Sequence, residues 1–269
     1  MPGSTRGRDK PRPKVPFPAL VAVLLSVAIA VVAFRAGLSS PSSDRGASPR
    51  GSSPSPSLHL QPLPACRFGS KPAARVGYRA WRVTLVDTTF RLPKTYAPPG
   101  LVSTVAAGFE AGFLIRKVVV PDLAALRQAA EAAGNPIDIV ASYRSYRQQE
   151  ELFGKRKARL GYDRALVKTA RPGHSEHQLG TTLDFKTKGA QDVSIHWANT
   201  PAGRWVAENA WRFGFVQSYP RDKHDVTCYA YEPWHFRYVG RDRAERVHAS
   251  GLTLREFLFR EDHPKDQSG

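Results

Sequence analysis

The composition of the first sixty or so residues limits where this chain can fold. Residues 35–64 consist mainly of Ser, Pro, Gly and Arg, with almost no side chain that a core could bury. Such a segment cannot offset the conformational entropy lost on ordering, so we predict a disordered tether there. The folded domain is therefore predicted to span residues 65–262, followed by a short tail at 263–269.

A hydrophobic run precedes the tether. Residues 17–34 are apolar except for one proline and one serine, and five Lys or Arg side chains lie in residues 1–16. A helix needs about 20 apolar residues to cross a bilayer, and flanking basic residues stay in the cytoplasm. We predict a single-pass membrane anchor with an extracytoplasmic domain. A cleaved signal peptide and secretion is the alternative.

The folded part mixes helical and strand patterns, which predicts an α+β domain. Capping residues and apolar spacing predict helices over residues 121–133, 145–161, 200–214 and from 253 onward. Alternating apolar residues predict strands over residues 137–141, 181–185, 215–219, 226–231 and 234–238. Trp205 and Trp211 are expected to anchor the core.

Two stretches carry residue types that hold metals. His177 and Asp184 lie in the first, and Glu232 and His235 lie in the second. Catalytic zinc sites use three ligands from His, carboxylate or thiolate and leave one position for water. The short helical motif H-E-x-x-H is absent. Because regular strand geometry would put Glu232 and His235 on opposite faces, we expect a backbone bend near Pro233.

The same residues resemble a known family. Ser175-x-His177-x-x-Gly180-x-x-x-Asp184, followed by Glu232-Pro-Trp-His235, is similar to the VanY-type D-alanyl-D-alanine carboxypeptidases. Residues 142–149, Ser-Tyr-Arg-Ser-Tyr-Arg-Gln-Gln, match the family's third motif. The three motifs keep the family's order between residues 81 and 240.

The resemblance implies a fold and a set of roles. The fold would be a small antiparallel sheet flanked by helices, the zinc D,D-peptidase or Hedgehog/DD-peptidase-like fold. Zn²⁺ would be held by His177, Asp184 and His235. Glu232 would act as general base, Arg144 would stabilise the oxyanion and bind substrate, and Gln149 and Ser175 would contact the substrate. His174 is the rival ligand to His177, whereas His196 and His224 match no family position and are expected on the surface.

The resemblance also implies an activity. The substrate would be a peptidoglycan stem peptide ending in D-Ala-D-Ala, from which the last D-alanine is removed, and the protein is expected to act as a monomer. The same class contains wall endopeptidases, and the sequence does not separate the two. A third hypothesis is a wall-binding module without catalytic turnover. The presence of Glu232 and of all three candidate ligands argues against it.

The chain has two cysteines, Cys66 and Cys228, far apart in sequence. An exported protein can form a disulfide between them, which would close a long loop. A Cys-Cys-His zinc site is the competing reading, but the spacing lacks a C-x-x-C pair.

The net charge is +17, from 40 Lys and Arg against 23 Asp and Glu. This charge predicts attraction to anionic wall polymers or lipid headgroups. Nucleic acid is the usual alternative partner of so basic a chain, but export and the lack of a recognised nucleic-acid module argue against it.

Overall fold

A computed structural model describes residues 62–191 and 193–262. Within them, strands β1 to β8 span Lys71–Pro72, Phe90–Arg91, Leu101–Ser103, Leu114–Arg116, Ile137–Ala141, Thr182–Thr187, Phe215–Gln217 and His235–Tyr238. Helices α1 to α7 span Val120–Ala132, Tyr146–Leu160, Tyr162–Lys168, Pro201–Asn209, His224–Thr227, Arg241–Ser250 and Leu254–Asp262. Short 3₁₀ helices span Ala80–Arg82, Thr104–Ala107, Lys117–Val119, Glu176–Leu179, Ile195–Asn199 and Ala210–Phe213.

The predictions of a membrane anchor and a tether concern a part of the chain that lies almost entirely outside these residues. The basic segment, the apolar run at 17–34, nearly all of the tether and the C-terminal tail are not described. Among the described helices, none has the length and apolar character that crossing a bilayer requires.

A four-stranded antiparallel sheet forms the centre of the domain, with strand order β5, β6, β8, β7. Two further pairs, β1 with β2 and β3 with β4, lie outside it. Helices α1 and α4 pack on the apolar face of the central sheet through Leu123, Leu126 and Val206. This arrangement confirms the predicted α+β domain with a small antiparallel sheet.

Period-two alternation separates the core from the polar face of the sheet. In β6, Leu183 and Phe185 are fully buried in the core. Phe236 of β8 joins the same core. In the register of the two strands, Asp184 stands opposite His235, so strand pairing alone brings these two residues side by side.

The sequence patterns located most helices and strands correctly. The strand predicted at 137–141 is confirmed as β5. The predicted capping box is also present, because the Ser145 hydroxyl accepts from the Gln148 N–H and the Gln148 side chain accepts from the Ser145 N–H. It opens α2, which ends at Gly161 as expected.

The strand predicted at residues 226–231 is wrong. Residues His224–Thr227 form the short helix α5, and Cys228 ends it with a φ of 69°. A left-handed residue terminates a helix and cannot continue a strand. The apolar alternation of this segment reflects burial of Thr227, Cys228 and Tyr229 in a turn.

The two tryptophans predicted to anchor the core pack against it from its edge, Trp205 against the central cluster and Trp211 against the cluster that includes Val247 and Leu254. Trp205 and Trp211 are only half-buried, and Ala202, Val206 and Ala210 are the residues of this region that fill the core. Small side chains serve there because α4 packs closely against its neighbours. Trp211 also stacks on His248 at the surface, with ring centroids 4.2 Å apart.

A disulfide joins Cys66 to Cys228, with 5.1 Å between their Cα atoms. Arg255 holds the same two segments together, because its guanidinium donates to the carbonyls of Pro64 and Val226. The Asp87 carboxylate lies 2.6 Å from Arg255 Nε and completes a buried ion pair. The start of the folded domain is thus fastened to the segment that leads into Glu232.

Candidate metal centre and cleft

Three side chains from separate elements converge at one end of the central sheet. His177 lies on the 3₁₀ helix Glu176–Leu179, Asp184 on β6 and His235 at the start of β8. One donor atom from each lies within 4.8 Å of the other two. These are the three residues that the sequence nominated as metal ligands.

His177 presents one ring nitrogen to this centre. Its Nδ1 lies 2.7 Å from the Ser142 carbonyl oxygen, which can only accept, so Nδ1 carries the proton and Nε2 has the free lone pair. Nε2 lies 3.4 Å from Asp184 Oδ2. Among the described residues, neither His177 Nε2 nor Asp184 Oδ1 has a partner with hydrogen-bond geometry, although both are buried.

His235 presents the opposite ring nitrogen. Its Nε2 lies 3.0 Å from Glu176 Oε2, and its Nδ1 lies 3.2 Å from Asp184 Oδ1. Unpaired buried donors and acceptors are costly unless something satisfies them. Two nitrogens and one carboxylate facing a common point fit a zinc ion, which such a donor set binds with a position left for water.

The electrostatics of the cluster favour a cation. Burial, together with the neighbouring Arg144, lowers the pKa of His177 to about 4, so this imidazole is neutral as a ligand must be. Burial opposes charge on Asp184 and on His235. The two imidazoles nevertheless hold the pKa of Asp184 well below its ordinary value, and the surrounding carboxylates raise the pKa of His235 to about 10. The site thus favours a positive charge at His235 Nδ1, where a bound metal ion would displace the proton.

Glu232 approaches the same centre through a turn. Pro233 and Trp234 form the turn, and the His235 N–H donates to the Glu232 carbonyl over 3.3 Å. The bend puts Glu232 Oε2 3.4 Å from His235 Nδ1, which confirms the predicted break near Pro233. Burial raises the pKa of Glu232 to about 7, a value suited to taking and returning a proton near neutrality.

The centre opens into a cleft of about 160 Å³. Arg144, Gln149 and Ser175 line it together with the metal-site residues, so the structure brings all the nominated site residues into one cavity. Gln149 Nε2 donates to the Ala170 carbonyl over 2.6 Å, whereas its Oε1 is buried with no partner in the described part of the chain. Arg144 Nε is similarly buried and unpaired.

The other histidines weighed from the sequence lie outside the three-residue cluster. His174 is buried, with Nδ1 2.7 Å from the Asp87 carbonyl, and it is not part of the three-residue cluster. His196 and His224 are exposed, as expected. The geometry thus puts His177, and not His174, beside Asp184 and His235.

Two cations that the sequence reading missed also line the cleft. Arg156 on α2 and Lys168 at the end of α3 face it, and neither has an ion-pair partner within residues 62–262 as described. Helical spacing could have identified the first, because Gln149, Leu152 and Arg156 follow an i, i+3, i+7 pattern and all three line the cleft.

A third missed residue is Glu176, between Ser175 and His177. It is 4% exposed. Its carboxylate contacts Ser218, His235 and Arg237. A glutamate next to a motif histidine is normally expected on the surface. The one sequence signal for a buried carboxylate was the placement of His235 and Arg237 on the same face of β8, where both need an acidic partner.

Comparisons with known proteins agree with this geometry. Residues 112–241 match the family model described as VanY, D-alanyl-D-alanine carboxypeptidase. The chain is 36% identical to the putative carboxypeptidase YodJ of Bacillus subtilis over 181 residues, 65% of this chain and 66% of that protein. The alignment thus spans slightly less than two thirds of that curated relative.

Two solved structures are similar in fold. One is the LD-carboxypeptidase LdcB, with a TM-score of 0.62 and 32% identity, covering 71% of this chain and 97% of that one. The other is the vancomycin-resistance D,D-pentapeptidase VanY from a VanB-type cassette, solved with Zn(II). It has a TM-score of 0.57 and 32% identity, and the match covers 66% of this chain and 99% of that one.

Proposed function

Because this chain belongs to the VanY family of D-alanyl-D-alanine carboxypeptidases, we propose that it is a zinc-dependent D,D-carboxypeptidase that removes the terminal D-alanine from peptidoglycan stem peptides. One observation carries the proposal for this chain. Ligand atoms of His177, Asp184 and His235 lie within 4.8 Å of one another, and the Glu232 carboxylate stands beside them. Buried atoms of His177 and Asp184 at this point have no partner with hydrogen-bond geometry among the described residues.

His177, Asp184 and His235 would hold the metal. Zinc, when bound, supplies a Lewis acid that polarises the scissile carbonyl and lowers the pKa of water. The protein supplies the proton transfers. Glu232 takes a proton from the attacking water as the new C–O bond forms and delivers it to the leaving amine nitrogen as the C–N bond breaks.

Arg144 is suited to the developing negative charge. Its guanidinium lines the cleft, and its Nε has no partner in the described structure. Arginine keeps its charge and holds its donors in a rigid fork, so it can stabilise an oxyanion without reorganising. Gln149 Oε1 and Ser175 are the polar groups left to orient the peptide.

The unpaired cations of the cleft favour the carboxypeptidase over the endopeptidase. Arg156 and Lys168 offer a cleft-lining positive charge that no carboxylate of the described residues neutralises. A substrate with a free terminal carboxylate would supply that partner, whereas a peptide bond within a cross-link would not. Charge-assisted hydrogen bonds of this type contribute about 1.5–3 kcal/mol each.

We therefore expect the double variant R156Q/K168Q to bind a D-Ala-D-Ala peptide poorly. KM should rise by about tenfold or more with a much smaller change in kcat, because binding rather than chemistry loses a contact. The matched control is K155Q/R159Q, which removes the same charge from exposed positions of α2. Steady-state kinetics are measured on the peptide with a free terminal carboxylate and on the same peptide as its terminal amide. The comparison separates loss of the carboxylate contact from a general effect of the lost charge. Equal KM values for the two double variants would contradict this assignment.

The proposed activity is tested by measuring free D-alanine released by the purified full-length chain. A pentapeptide stem ending in D-Ala-D-Ala should yield D-alanine. Chelator should stop the release and added zinc should restore it.

The similarity to LdcB makes the tetrapeptide, which offers an L,D bond, a necessary second substrate. Cleavage within a cross-linked peptide would identify an endopeptidase. Binding of wall peptides without product, with zinc restored, would identify a binding module.

The proposed location follows from the substrate. Stem peptides lie outside the cytoplasmic membrane, and a basic segment with an apolar run at residues 17–34 would anchor the domain beside them. A secreted form is the alternative. Net charge of +17 would attract the monomer to anionic wall polymers or lipid headgroups.

A further inference from the structure

Glu176 is a buried carboxylate with three polar contacts. The Ser218 hydroxyl donates to its Oε2 over 2.6 Å, and His235 Nε2 lies 3.0 Å from the same oxygen. Its Oε1 accepts from an Arg237 nitrogen over 2.9 Å. The side chain therefore connects a ligand histidine to a fully buried arginine.

We propose that Glu176 is a positioning residue that fixes the His235 ring with Nδ1 aimed at the metal. This inference rests on the metal site proposed above and assigns a role to a residue that does not touch the metal. By accepting the Nε2 proton, the carboxylate selects one tautomer and leaves the Nδ1 lone pair free. It also sets the rotation of the ring, since Nε2 and Nδ1 cannot exchange places without breaking the contact.

The two ligand histidines are oriented by different kinds of acceptor. The Ser142 carbonyl, a neutral group, holds His177 through Nδ1. A carboxylate holds His235 through Nε2. A charged acceptor makes the opposite nitrogen a stronger donor to the metal than a carbonyl does. Glu176 therefore affects both the direction and the strength of the His235 ligand bond.

Arg237 keeps the carboxylate in place. It is 0% exposed, and its Nη2 donates to the carbonyls of Trp81 and Thr84. Arg237 lies two residues after His235 on β8, so both point to the same face of the sheet. One strand thus carries the ligand and the cation that anchors the ligand's partner.

A buried ion pair is a poor way to gain stability alone, because apolar residues of similar volume often do as well or better. The Asp87–Arg255 pair provides the comparison. Asp87 and Arg255 are 2% and 5% exposed, close to Glu176 at 4%, and within the described structure neither side chain has a hydrogen bond to a proposed metal ligand. A merely structural role for Glu176 would make its substitution resemble that of Asp87.

The test is zinc affinity of the full-length chain, measured by competition with a chromophoric chelator, in the variants Glu176→Gln and Asp87→Asn. Both remove a charge from a buried pair and keep the side-chain shape. We expect Glu176→Gln to weaken zinc binding by about 10–100-fold and Asp87→Asn to leave it unchanged. Cobalt(II) in place of zinc should give an altered visible spectrum only in Glu176→Gln, because that spectrum follows ligand geometry.

Wild-type zinc affinity in folded Glu176→Gln would overturn the inference, as would equal losses in the two variants. If Glu176→Gln does not fold, Ser218→Ala removes one hydrogen bond to the same oxygen and leaves the ion pair intact. It should weaken zinc about fivefold, and wild-type affinity there would overturn the inference. A wild-type chain that binds no zinc would instead reject the metal site itself.

Discussion

Replacing Glu232 by alanine is expected to lower kcat for D-alanine release by about 10²–10⁴-fold while zinc stays bound. Among the described residues that line the cleft, Glu232 is the one acidic side chain besides the proposed ligand Asp184. Its Oε2 lies 3.4 Å from His235 Nδ1. Without it, no positioned group takes the proton from water or returns it to the amine. The metal ligands remain, so the ability to bind zinc should persist.

Two measurements separate this loss from loss of the metal. Zinc content by elemental analysis should match the wild type in Glu232→Ala, whereas Asp184→Asn should lose both zinc and activity. Glu245→Ala, which removes an exposed glutamate from α6, should retain wild-type kcat. A Glu232→Ala variant with more than a tenth of the wild-type kcat would assign the base to another residue.

Removing the disulfide is expected to lower the free energy of unfolding by about 2–5 kcal/mol. Cys66 and Cys228 are 162 residues apart, so their bond restricts the unfolded chain over a long loop. The double variant C66S/C228S should therefore show a lower midpoint in guanidinium unfolding. Arg255 still joins the carbonyls of Pro64 and Val226, so we expect the domain to remain folded.

Reducing agent provides the internal control. It should lower the unfolding midpoint of the wild type and leave that of C66S/C228S unchanged, since only the former has a bond to break. Equal midpoints for oxidised wild type and double variant would mean that the disulfide adds nothing that Arg255 and the core do not already provide.

The sequence predicted those parts of the fold where local pattern and tertiary environment agree. The capping box of Ser145 with Gln148 began a helix as expected, and alternation in 181–185 placed Asp184 on the polar face. Both signals depend on residues within a few positions of one another. Such local signals predict the structure correctly because the residues that produce them remain neighbours in the folded protein.

Other features depend on partners distant in sequence, which a local pattern cannot reveal. Residues 226–231 alternate like a strand, but a disulfide to Cys66 and a hydrogen bond donated by Arg255 to the Val226 carbonyl hold them in a turn. Glu176 is an acidic residue next to His177, yet it is buried because it pairs with Arg237, which lies 61 residues further along the chain. Motif spacing identified the three side chains that converge in the cluster, whereas it did not identify the groups that contact their outer ring nitrogens.

Strand β8 links the assembly of the core to the chemistry of the cleft. In four residues it alternates His235 and Arg237 with Phe236 and Tyr238, so one face builds the centre and the other packs inside. A slip of one residue against β6 would exchange the two sets, burying an imidazole in the core and exposing a phenyl ring at the metal. Core packing and assembly of the centre therefore require the same register of β8 against β6. The packing of Phe236 and Tyr238 in the core therefore also selects the register that puts His235 at the centre. Inserting or deleting one residue in β8 would disturb the fold and the active site together.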